Sequence, residues 1–147
     1  MALFENLGQY LLITRDLNHH YDRLLTGAAE ACGLTKPEGD VLLFLANSPQ
    51  LDTARDVCEY RGFSKAYVSK AVEALVGRGF LQIAPDGQDR RVQHLCVQPV
   101  TQEAVARLRQ AQQQFYDQLT AGLTTQEEQD LWRIMECMHS NIMRATP

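Results

Sequence analysis

The stretch from Leu51 to Val97 constrains this chain most: two short helical patterns meet at a glycine, and two strand patterns joined by a charged turn follow. Val68, Ala71, Val72 and Leu75 recur at i, i+3, i+4 and i+7, the spacing of one apolar stripe along a helix. Ala66, Ser69, Lys70 and Glu73 occupy the opposite side, with Tyr67 flanking it. Ser64 stands where an N-cap is needed to accept a first-turn backbone N–H, and Gly62 suits the end of the preceding helix. Arg78-Gly79-Phe80 closes the second helix. Leu81-Gln82-Ile83-Ala84 alternates like a half-buried strand, Pro85 to Arg91 supplies turn formers and two guanidiniums, and a second strand runs from Val92 to Val97.

Helix, tight corner, helix and cationic hairpin, in that order, make a winged helix-turn-helix, and such a layout points to duplex DNA. A major groove about 12 Å wide admits one helix, and polar side chains near its N-terminus reach base edges. Lys65, Tyr67, Ser69 and Lys70 are the candidates, with Ser64 at the head of the same helix. Arg90 and Arg91 at the hairpin tip suit a narrow minor groove or backbone phosphates.

Gly62-Phe63-Ser64-Lys65 with Val68-Ser69-Lys70, Leu75 followed by Arg78-Gly79-Phe80-Leu81, and the run Asp86-Gly87-Gln88-Asp89-Arg90-Arg91 together resemble the MarR-type (multiple antibiotic resistance regulator) winged-helix transcription factors. The resemblance implies a homodimer that binds a pseudo-palindromic operator, often under control of a small ligand or an oxidant. It places Lys65, Ala66, Tyr67, Ser69 and Lys70 on the recognition helix and Arg90 and Arg91 on the wing. Gln88 stands where the wing motif often has Arg. Val97-Gln98-Pro99 and Ala104 replace the family's usual Leu-Thr and nearby Gly.

The formal net charge of −4 runs against a nucleic-acid partner until its distribution is counted. Between Arg55 and Arg91 lie seven cations and five anions, so this stretch carries +2 and the remainder −6. Positive charge therefore collects where the groove-reading elements lie, as a modest DNA binder requires. Binding is expected to weaken noticeably with salt.

The expected fold is mainly α: a winged helix-turn-helix over residues 35–98, with helical dimerisation regions over 1–34 and 99–147. Phe4 to Ala31 carries Leu7, Leu11, Leu12, Leu17, Tyr21, Leu24 and Leu25 at helical intervals. Thr35-Lys36-Pro37-Glu38 reads as a capping box opening a helix through Val41, Leu42 and Leu45 that Asn47-Ser48-Pro49 ends. Downstream, Glu103 to Leu119 reads as a helix that Gly122 breaks. Thr125-Gln126-Glu127-Glu128 reads as a second capping box before a stripe of Leu131, Ile134, Met135, Met138 and Ile142. Terminal helices this apolar have too little of one small domain to cover, which predicts a twofold partner and two recognition helices about one DNA turn apart.

The four cysteines show neither metal-ligand spacing nor a disulfide framework, and Cys58 and Cys96 read as core positions. Cys32, beside Gly33, is the redox candidate. Adjacent His19 and His20 point about 100° apart on a helix and do not chelate one ion easily, and His94 and His139 have no partner nearby in sequence. No metal site, cofactor or catalytic motif is expected. Tyr10, Arg15, His19 and Tyr21 are candidate lining residues for an effector cleft between the dimer helices and the DNA-binding lobe. With no apolar run long enough to span a bilayer and no signal-peptide layout at Met1 to Asn6, a soluble cytoplasmic protein with no membrane partner is expected. The competing reading is a winged-helix module that uses the same face for a protein partner. A regulator without any ligand is a third.

Overall fold

A computed structural model describes residues 2–146, with side chains from Asn6 onward, so the packing of Phe4 lies outside the described residues. The element order is α1 (Ala2–Ala31), α2 (Lys36–Asn47), α3 (Ala54–Arg61), α4 (Lys65–Gly77), β1 (Leu81–Pro85), β2 (Gln93–Val97), a single 3-10 turn (Pro99–Thr101), α5 (Gln102–Leu119) and α6 (Thr125–Ala145). These elements form two compact units, Met1–Phe115 and Tyr116–Pro147.

In the first unit the core is built where helical periodicities meet. Val41, Leu42 and Leu45 of α2, Val57 of α3, and Val68, Ala71 and Leu75 of α4 are all essentially inaccessible to solvent. Leu25 and Ala29 of α1, Leu81 and Leu95 of the hairpin, and Leu108 and Ala111 of α5 complete the same cluster. The helix-turn-helix thus shares its core with the C-terminal end of α1 and with α5. Gly39 marks where α1 and α2 touch, because a Cβ there would lie 2.9 Å from that of Ala29.

Local chemistry sets the boundaries. Thr53 caps α3 in a reciprocal box with Asp56, a Thr-x-x-Asp signal present in the sequence beside those already read. Thr35 caps α2 by accepting from the Glu38 N–H at 3.4 Å. The Glu38 carboxylate does not close the expected box on the cap's backbone: one oxygen accepts from the Thr35 hydroxyl, and the other accepts from Arg78 Nη1 at 3.2 Å. Arg78 also donates to the Gly33 carbonyl at 2.7 Å and lies over the Phe80 ring. That guanidinium fastens the α1–α2 connection to the end of α4.

The hairpin is antiparallel, with Leu81 opposite Val97, Ile83 opposite Leu95 and Ala84 opposite His94. Leu81 and Leu95 face the core, whereas Ile83, opposite Leu95, is exposed. Strand β2 starts at Gln93, one residue later than the apolar pattern suggested, since Val92 exchanges turn hydrogen bonds with Asp86 and Asp89.

The second unit is helical. Its helix α6 is capped by Thr124 in a box with Glu127, one residue earlier than the expected Thr125–Glu128 pair. Thr124 has the extended backbone a cap requires, and Glu128 is engaged instead by the Tyr116 hydroxyl at 2.6 Å. The Tyr116 and Trp132 rings stack at 6.2 Å. No residue of α6 is buried: Ile134, Met135, Met138 and Ile142 are exposed, as are Leu7, Tyr10, Leu11 and Leu12 on the first half of α1. No described helix is long and apolar enough to cross a membrane.

Candidate nucleic-acid interface

The corner between α3 and α4 follows from two residues. Gly62 ends α3 in the left-handed region at φ 67°, which a Cβ would disfavour. Ser64 then accepts the Tyr67 N–H at 3.2 Å and starts α4. Burial of Val68, Ala71, Val72 and Leu75 fixes the rotation of α4 and leaves Lys65, Ala66, Ser69, Lys70 and Glu73 exposed, as the stripe required.

Tyr67 sits at the edge of this exposed face with its hydroxyl turned inward. It donates to Asp40 Oδ2 at 2.7 Å, and its ring packs 4.7 Å from that of Phe63. Burial, then the bond to Asp40, push its pKa up to about 12. Lys36 donates to the same Asp40 oxygen at 2.6 Å and lies 3.3 Å from Asp22. Asp40, whose side chain is only 2% exposed, therefore joins α2 to α4 directly, and Lys36 extends the link to Asp22 of α1. Sequence reasoning missed Asp40 because its partners are assembled only by the packing of separate helices.

The wing tip is organised around Asp86. Its Oδ2 accepts the backbone N–H groups of Gln88 and Asp89, both at 2.9 Å, and Asp89 in turn accepts the Arg91 N–H at 3.0 Å. Asp86 Oδ1 lies 2.9 Å from His94 Nε2, and His94 Nδ1 lies 2.8 Å from Asp52 Oδ1. His94, expected to lack a partner, stands between two carboxylates. Asp86 is eight residues upstream and Asp52 forty-two, so strand pairing and the α3 corner bring them together. The bond from His94, followed by the two backbone donors, holds Asp86 at about 2, and His94 is raised above its ordinary value by Asp86 and then Asp52.

This geometry divides the seven cations between Arg55 and Arg91. Arg55 pairs with Glu59, Arg61 lies over the Phe63 ring, and Arg78 is tied to Glu38 and Gly33. Among the described residues none pairs with the side chains of Lys65, Lys70, Arg90 or Arg91, and all four are exposed. The free cations are thus those of α4 and the wing tip.

The remaining candidates fall apart in space. Tyr21 accepts from Gln112 at 2.8 Å, packs edge-on to Phe115, and lines a cavity of about 170 Å³ with Asp40, Phe44, Arg61 and Gln112. His19 borders a separate open recess with Asp16, Asp22 and Arg23, Arg15 pairs with Asp16, and Tyr10 is exposed. A surface groove of about 710 Å³ between the end of α2, β2 and α5 includes none of the four. Cys32 and Cys58 are half-buried against the core, but Cys96, expected inside, is exposed because its strand neighbour Leu95 takes the inward face. Among the described residues no cluster suited to a metal ion occurs.

A capped helix-turn-helix followed by a two-stranded wing with its free cations on one helix and one hairpin tip defines a winged helix-turn-helix protein. The profile of the MarR family matches residues 33–92, from just before α2 to the wing. The whole chain has the same fold as solved members. A MarR-family transcriptional regulator from Silicibacter pomeroyi superposes with a TM-score of 0.82 at 20% identity, covering 97% of this chain and 95% of that one. A MarR regulator from Methanosarcina mazei Go1 gives 0.75 at 15% identity, with 97% and 99% covered. MepR of S. aureus, solved in complex with DNA, gives 0.73 at 17% identity, with 90% and 97% covered. No curated protein matches the sequence.

Proposed function

We propose that the chain is a sequence-specific regulator of transcription that binds duplex DNA through α4 and the wing. The observation that carries this reading is the sorting of charge: three of the seven cations between Arg55 and Arg91 are engaged by internal contacts, while Lys65 and Lys70 on α4 and Arg90 and Arg91 on the wing remain exposed and unpaired. Ser64, Lys65, Ala66, Ser69 and Lys70 face the major groove, with Tyr67 holding the first turn of α4 against Asp40. Arg90 and Arg91 meet the adjacent minor groove or its phosphates. The DNA bound to the MepR neighbour supports the choice of partner.

The uncovered apolar faces of α1 and α6 favour a homodimer, whose twofold axis matches a pseudo-palindromic operator. Occupying a promoter makes such a dimer a cytoplasmic repressor. A small ligand releases it only by binding one separation of the reading heads better than the other. The cavity beside Tyr21 suits this role, because it shares Asp40 with the anchor of α4.

Selection of duplexes from a random pool, followed by gel shift, tests the reading. A recovered twofold-symmetric sequence bound in preference to random DNA is the expected result. Failure to retain any duplex would return the face to a protein partner.

A further inference from the structure

We propose that His94 is a positioning residue that, as an imidazolium, ties the wing to the head of α3 and so sets the reach of Arg90 and Arg91. The proposal rests on the DNA-binding reading above.

Both ring nitrogens lie at hydrogen-bond distance from carboxylate oxygens, Nδ1 from Asp52 and Nε2 from Asp86. A neutral imidazole has one N–H and satisfies only one of them, leaving a ring lone pair against a carboxylate lone pair at the other. The imidazolium donates to both. Each carboxylate belongs to a separate piece of structure. Asp86 organises the turn that carries the arginines, through the N–H groups of Gln88 and Asp89. Asp52 precedes the Thr53 cap of α3, and its carbonyl accepts the Leu95 N–H at 2.7 Å. One ring therefore joins the outer end of the wing to the helix-turn-helix, where Ile83 is exposed.

The charged groups facing His94 are these two acids, from the wing turn and from the segment before α3. Its partner across the hairpin, Ala84, carries no charge. A group raised above its ordinary value holds its charge, and with it the double tie, below that raised value. The tie is lost as pH climbs through it. About a third of the His94 side chain is exposed, so solvent protons reach it. Once one contact is lost the wing tip samples more positions, and binding must restrict it again.

The test follows the His94 ring by NMR titration in the free protein and measures affinity for a duplex selected from a random pool. Salt is held constant from about pH 6 to about pH 8.5. The wild type is compared with His94→Gln, which hydrogen-bonds without titrating. The expected results are a His94 midpoint above the ordinary histidine value and an affinity that falls with pH about three- to tenfold more steeply than in His94→Gln. A midpoint at or below the ordinary value, or identical pH profiles for the two proteins, would overturn the proposal. If no duplex is retained, the DNA reading fails separately. The ring titration, with amide exchange at Gln88, Asp89 and Arg91 across the same pH range, then still decides whether His94 ties the wing.

Discussion

Helix α4 keeps its place through Val68, Ala71, Val72 and Leu75, none more than 9% exposed, whereas the outer wing keeps its place through Asp52, His94 and Asp86, each about a third exposed. Apolar burial responds weakly to salt and pH, so it suits α4 in the proposed role of presenting side chains to base edges at fixed positions. Exposed charge contacts are screened by salt and switched by protons, so they suit an element that adjusts to the backbone. The two halves of the proposed interface are thus held by forces of different kinds. One delivers orientation, the other a conditional grip.

Perturbing each half in turn breaks or sharpens this contrast. Leu75→Ala empties a fully buried site and is expected to cost about 2–5 kcal/mol of stability, measured by urea denaturation. A loss below about 1 kcal/mol would mean that α4 is not anchored by its stripe. Lys70→Ala leaves the fold intact and is expected to cost about 1–3 kcal/mol in binding a selected duplex, with its unfolding midpoint unchanged. Unaltered affinity would remove Lys70 from the interface. Tyr67→Phe deletes the bond to Asp40 but keeps the ring on Phe63, and about 1 kcal/mol of stability should go with it. Arg91→Ala should act evenly across DNA sequences and lower the slope of log affinity against log salt by about one unit. A sequence-dependent loss would make Arg91 a reader instead of a phosphate contact.

Most of the helix-turn-helix was legible because its signals are local. The stripe of α4, the Ser64 cap and the Gly62 corner each depend on residues within one or two turns, and the structure repeats them. Boundaries slipped where two residues compete for one role, as at Thr124 and Thr125, because backbone conformation and the demand of Tyr116 on Glu128 decide between them. Glu38 was drawn from its box by Arg78, forty positions away. The contacts of Asp40 with Tyr67 and of His94 with Asp52 were illegible for the same reason, since no periodicity announces a polar pair between distant segments. Cys96 misled because alternation fixes which residues share a face but not which face turns inward.

Hydroxyl-radical footprinting on a selected duplex tests the central claim most directly. The account predicts two symmetry-related protected tracts centred about one helical turn, roughly 10 base pairs, apart. Flanking minor-groove protections should fade when both Arg90 and Arg91 are replaced by Ala. A single one-sided tract, or a pattern indifferent to the wing substitutions, would contradict it.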